Sequence, residues 1–169
     1  MRTRWLSLIG AGVIALVSAV DAASTGGLAP ESHEAGEFRA FLKKVYEAQV
    51  EFVQGRPAAF KALWSRRPDV TIFGGFGSGD QGWDKVGPRL DWGSAQFSNG
   101  SRSHEVLSTY VNGAIGYIVQ LEKIRFKVPG RSKQSFLELR ATMIMRREPE
   151  GWRIVHRHAD SQITRQVPQ

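Results

Sequence analysis

Apolar residues recur along the first half of the chain at helical spacing and along the second half at strand spacing, so helices come first and sheet follows. Phe38, Phe41, Leu42, Val45, Ala48 and Phe52 fall at three- and four-residue steps with Lys43, Lys44, Glu47 and Glu51 between them, which predicts an amphipathic helix from about Glu37, stopped by Gly55. Phe60, Leu63 and Trp64 form the stripe of a second short helix that starts after Pro57 and ends before Pro68. Val70–Phe73 reads as a strand, and the glycine-rich stretch from Gly74 to Gly82 reads as a loop. Trp83, Val86 and Leu90 share one side of a third helix, with Pro88 bending or restarting it before Trp92. After Gly100 the period becomes two, giving three long strands and one shorter one.

The turns set a register. Asn112-Gly113 read as a two-residue hairpin turn pairs Val111 with Ala114, so Tyr110 faces Ile115, Ser108 faces Tyr117 and His104 faces Leu121 on one side of the sheet. A three-residue loop with Gly151 left-handed pairs Glu148 with Trp152, Met145 with Val155 and Met143 with Arg157. On this count His104, Tyr117, Met143 and Arg157 share a concave face with Leu137, Leu139, Ala141 and Met145. The convex face carries Phe136, Arg140, Ile144, Trp152, Ile154, His156, His158 and Asp160. That much apolar surface predicts a covered face, and a homodimer is the expected cover.

Composition narrows the chemistry. With 169 residues and 41% hydrophobic content the chain has one domain's worth of core. Cysteine is absent, which excludes disulfides, thiolate metal sites and a cysteine nucleophile. Arg2 and Arg4 precede an apolar run from Trp5 to Val20, too short for a bilayer span of roughly 20 residues, and Val20-Asp21-Ala22 supplies small residues for cleavage. Residues 1–22 are therefore expected to be a secretory signal peptide, 23–36 a flexible linker, 37–162 the domain and 163–169 a tail. A periplasmic or secreted location follows, with no stable membrane insertion after cleavage. Removing Arg2, Arg4 and Asp21 leaves 21 basic against 15 acidic residues, so the processed chain keeps a net charge of +6.

Several motifs carry weaker signals. Gly77-Ser78-Gly79-Asp80-Gln81-Gly82 matches GxGxxG, but antiparallel hairpins follow it instead of a parallel crossover unit, so a dinucleotide site is rejected. His156 and His158 have the spacing of two ligands on one strand face, yet nothing supplies a second ligand pair, and no metal or other cofactor is expected. Asp160 beside His158, with Arg140 opposite, is a better acid/base constellation. Lys123, Arg125, Lys127, Arg131 and Lys133 crowd a tip around Pro129-Gly130 without aromatic residues spaced for base stacking, so a solvated or membrane-facing tip is preferred to a nucleic-acid site.

The stretches Val70-Thr71-Ile72-Phe73-Gly74 and Gly82-Trp83-Asp84-Lys85-Val86, with the ending from Gly151 through Trp152-Arg153-Ile154-Val155-His156 to Asp160, resemble the SnoaL-like, or nuclear transport factor 2-like, superfamily. The likeness is to members related to the association domain of calcium/calmodulin-dependent kinase and covers about residues 37 to 162. The resemblance implies an α+β cone, a curved antiparallel sheet packed on three N-terminal helices and enclosing a pocket. It implies no single function, because the superfamily holds isomerases, cyclases, hydrolases, dehydratases and binding modules. The expectation is a small organic ligand, anionic or carbonyl-bearing, met by Tyr117, Met143, Arg157 and Trp83. The alternative is a cofactor-free isomerase, cyclase or hydrolase with His104 as base, or with a His158–Asp160 pair if the second hairpin slips by one residue.

Overall fold

The computed structural model describes residues 32–164, so the signal-peptide reading, most of the linker and the end of the tail lie outside the described residues. Helix α1 runs His33–Phe52, four residues longer at its start than the periodicity indicated. Ser32 caps it by accepting a hydrogen bond from the Ala35 amide at 3.2 Å, and Glu34 sits in the first turn where the helix dipole favours an acid. Helices α2 (Ala58–Ala62) and α3 (Trp83–Ser94, with Pro88 inside it) follow.

Six strands form one mixed sheet: β1 Thr71–Phe73, β2 Gly79–Gln81, β3 Ser98–Asn112, β4 Ile115–Lys127, β5 Gln134–Glu148 and β6 Gly151–Asp160. Their order is β2-β1-β6-β5-β4-β3. The glycine-rich stretch is thus part strand, since Gly79–Gln81 returns antiparallel along β1. β1 lies parallel to β6, a pairing that the hairpin counting did not foresee. The curved sheet stays open, with the helices on its concave side. Phe38, Phe41, Leu42 and Val45 of α1 pack there on Ile118, Met143, Met145, Trp152 and Ile154, and a second cluster joins Val53, Phe97, Ile124, Phe126 and Leu139.

Two bulges correct the expected faces. The first hairpin turns at Gly113-Ala114, with Asn112 opposite Ile115 and Gly113 at φ 60°, the conformation that favours glycine first in a two-residue hairpin loop. Tyr110 consequently faces Tyr117, their rings stacked at 5.5 Å, and because β4 pairs with β5 with Tyr117 opposite Ile144, Tyr117 lies on the convex side and leaves the concave set. Leu107 is an extra residue, since Ser108 pairs with Val119 but Val106 with Gln120, so the strand reverses faces there and His104 comes to lie opposite Glu122 on the concave side. In β6, Val155 is extra between Met145↔Ile154 and Ile144↔His156. Trp152 and Ile154 therefore point into the core, Trp152 with its ring 4.9 Å from Phe38, and neither belongs to a convex dimer face. Arg140, Ile144, His156, His158 and Asp160 stay convex, and Met143 and Arg157 stay concave, as counted.

Candidate functional site

In β4 the concave row reads Ile118, Gln120, Glu122, Ile124 and Phe126, two polar groups set in an apolar stripe. Glu122 is 1% exposed, and its position is explained by what surrounds it. Arg157 of β6 donates both terminal nitrogens to the two carboxylate oxygens at 2.8 Å each, and Gln120 Nε2 donates to Glu122 Oε1 at 2.7 Å. This bidentate pair is the strongest geometry available to a carboxylate. Arg102 of β3, its side chain 2% exposed, places Nη2 3.3 Å from Glu122 Oε1. That contact is an ion pair without hydrogen-bond alignment, so Arg102 Nη2 is a buried donor lacking an acceptor. Arg102 Nη1 donates to Gln49 Oε1 of α1, whose Nε2 in turn reaches Met143 Sδ at 3.8 Å. Two guanidinia thus share one carboxylate.

Burial alone would raise the Glu122 carboxyl, but the charge and hydrogen bonds of Arg157, the charge of Arg102 and the hydrogen bond from Gln120 overcome it and hold the group down at about 2. Glu122 is therefore an anion at neutral pH with both oxygens engaged. Arg102 is pushed below its ordinary value, first by burial and then by Arg157, with Glu122 opposing.

Gln49, Arg102, Glu122 and Arg157 floor an open cleft. Phe52, Phe60, Ile72, Leu90, Phe97, Ile124 and Leu139 wall it, and Phe76, Trp92, Arg89 and Leu137 stand among its remaining lining residues. The rim is cross-braced. Arg89 donates to the Gly77 carbonyl, lies 3.9 Å from Asp80 and stacks over Trp92 at 4.5 Å, while Phe76 meets Trp92 at 5.9 Å and Phe97 at 5.5 Å.

Of the residues singled out in the sequence, Arg157 lines the cleft and Met143 lies behind Gln49. His104 reaches the concave side but stacks on Tyr46 of α1, ring centroids 3.9 Å apart, and does not line the cleft. Burial, then Arg102, holds its imidazole below the ordinary histidine range. Trp83 lies under the Arg66 guanidinium at 3.6 Å, outside the cleft. His158 and Asp160 are 3.8 Å apart on the convex face, where Arg140 grips Asp160 at 2.8 and 3.0 Å, so the slipped register with an inward His–Asp pair does not form. His156 bonds Thr71 across the β1–β6 pair at 2.7 Å. Among the described residues no group of three acids or histidines is placed to hold a metal ion.

Residues 38–163 match the family described as SnoaL-like domain. The chain belongs to that family. Among solved structures, a ketosteroid isomerase-like protein from Erwinia carotovora atroseptica is 10% identical, with 79% of this chain and 100% of that one covered at a TM-score of 0.65. A nuclear transport factor 2-like superfamily protein from Salmonella enterica serovar Typhimurium is 15% identical, covering 78% and 98% at 0.63. A protein described as a calcium/calmodulin-dependent protein kinase type II association domain, from Thiobacillus denitrificans, is 17% identical, covering 73% and 93% at 0.60. At such identities the likeness carries the fold alone. No curated protein sequence matches the chain.

Gln49, Arg102, Gln120 and Glu122 escaped the sequence reading. Their signal was present in β4, where Glu122 is the single acid between Ile115 and Lys127 and shares a parity with Ile118, Ile124 and Phe126. Because Tyr117, Val119 and Leu121 make the other parity apolar too, alternation did not name the inner face.

Proposed function

We propose that this SnoaL-like domain binds a small organic anion with an apolar body, its carboxylate or enolate oxygens directed at Arg102 and Arg157. The observation that carries this reading is the uncompensated cation on the cleft floor: two guanidinia face one carboxylate, and Arg102 Nη2 is buried without an acceptor. An incoming oxyanion would neutralise the surplus charge and accept that hydrogen bond, both in a site where low dielectric strengthens them. The aromatic and aliphatic walls suit the rest of such a molecule.

Calorimetric titration with butyrate and benzoate, against butanol and benzyl alcohol, tests it. The acids should bind and the alcohols should not. Arg102→Met removes the surplus charge while leaving Glu122 paired with Arg157, and it should lower acid affinity about tenfold or more. Equal binding of acids and alcohols, or an unaffected Arg102→Met variant, would refute the reading.

A second reading is turnover without a cofactor, with His104 as base. Burial, then Arg102, lowers the imidazole from its ordinary value, the direction that favours the neutral form a base needs, but its stacking on Tyr46 places it away from the cleft wall. Product formation lost in His104→Asn would favour it. The chain is also read as exported, on the strength of Arg2, Arg4 and the apolar run to Val20. Intact mass of the purified protein tests cleavage. Dimerisation through the convex face is supported by exposed Phe73, Leu107 and Tyr110, and Ile144→Glu should yield monomers in light scattering.

A further inference from the structure

The hairpin end joining β4 to β5 is untouched by the ligand reading. Val128-Pro129-Gly130-Arg131 closes a tight turn there, with the Arg131 amide donating to the Val128 carbonyl at 3.0 Å and Gly130 at φ 79°. Proline second and a left-handed glycine third are the requirements of a type II turn, so the tip is preorganised. Arg131 and Lys133 project from it into solvent. Just below, on the convex face, Arg125 and Phe136 are cross-strand partners with the guanidinium 5.7 Å from the ring centroid, and Phe136 is 68% exposed.

Charge at this end is uncompensated. Glu138 lies 3.8 Å from Lys123 and cancels it, but among the described residues no carboxylate forms an ion pair with Arg125, Lys127, Arg131 or Lys133. Four cations therefore surround the most exposed large apolar side chain of the domain, with Val128 and Pro129 at the apex.

We propose that this tip docks on an anionic lipid bilayer, the cations at headgroup level and Phe136 in the interface. The charge is complementary to acidic headgroups, whose attraction for juxtaposed Lys and Arg is additive to first order. The aromatic ring decides between polyanions. A nucleic acid needs a series of stacking platforms along its backbone, and here one ring stands beside aliphatic residues, the composition of an interfacial binder. The contact is peripheral and leaves the cleft as described.

Cosedimentation of the purified protein with vesicles of equal parts phosphatidylglycerol and phosphatidylcholine is the test, with pure phosphatidylcholine as comparison. All variants carry the same N-terminus, so differences between them report the tip. Binding should require phosphatidylglycerol and weaken with salt. Arg131→Gln/Lys133→Gln should lower affinity about fivefold for each cation, about 25-fold for the pair. Phe136→Ser, at the most exposed large apolar position of the domain, should lower it several-fold at a salt concentration that screens the charges. Failure to bind anionic vesicles, wild-type affinity in either variant, or tighter binding of a single-stranded DNA oligonucleotide in the same buffer would each overturn the proposal.

Discussion

Replacing Glu122 by Gln removes the one negative charge between two buried guanidinia and leaves the shape nearly unchanged. The cost follows from two independent magnitudes. Glu122 is held at about 2 instead of its ordinary 4.5, a difference worth about 3 kcal/mol of stability at neutral pH. Removing one partner of a buried ion pair costs roughly 3–5 kcal/mol, because the other charge is stranded. At about 3 °C per kcal/mol for a domain of this size, Glu122→Gln should melt about 10 °C below wild type at pH 7. The pH dependence carries the signature. A carboxyl depressed in the folded state stabilises fully above its unfolded value near 4.5 and loses that contribution as pH falls through 2, so wild-type stability should drop across that window. Glu122→Gln should lack this one-proton component. Thermal and urea melts at a series of pH values measure both effects. A variant melting within about 2 °C of wild type, with the same acid slope, would falsify the account of the cleft floor.

Three further outcomes test other parts of the structure. Ile154→Glu should unfold the domain or cost more than about 4 kcal/mol in urea melts, whereas Ile144→Glu should leave the monomer fold intact, since only Ile154 is turned into the core by the bulge at Val155. Gly36→Ala, inside α1 with nothing within 4 Å of the added carbon, should stabilise by about 0.5–1 kcal/mol, while Gly100→Ala, whose added carbon would fall 1.9 Å from the Val53 carbonyl oxygen, should cost about 3 kcal/mol or more. His104 should titrate below 6.5 by NMR, the direction set by burial and then Arg102, and Arg102→Met should move it upward.

What sequence periodicity conveyed and what it concealed have definite physical sources. The three helices, the three long strands and the shorter one after Gly100 were legible because their apolar residues repeat at 3.6 or 2 residues over long stretches. Met143, Arg157, His158 and Asp160 kept their counted faces because two departures cancel: the second turn pairs Glu148 with Gly151 instead of Trp152, and the extra Val155 restores the register beyond it. Each error traces to a single added residue, a turn shifted by one position or a strand pairing that periodicity does not encode. Leu107 and Val155 are bulges with no composition of their own. Trp152 and Ile154 lie inside because the second turn is one residue tighter than counted and Val155 restores the register beyond it. Tyr117 lies outside because β4 meets β5 with Tyr117 opposite Ile144, a pairing that turn counting does not reach. Gly79–Gln81 became a strand because the neighbouring β1 offered an edge, a pairing that glycine content does not encode. Glu122 was passed over because a buried acid is defined by Arg102 and Arg157, residues 20 positions before it and 35 after.

The parallel pairing of β1 with β6 sets the order in which the domain can be completed. Thr71 and His156, bonded across that pair, are 85 positions apart, and closing so long a loop carries an entropic cost that local hairpins do not. A ribosome that has delivered β1 through β5 has supplied Arg102, Gln120 and Glu122 but not Arg157, and the cleft wall at Ile72 still lacks its neighbour. Chains cut short before Gly151 would then present an acid and an arginine to solvent in place of a sealed floor. Ligand recognition should accordingly appear all at once, with the last ten-residue strand, and not grow in step with chain length.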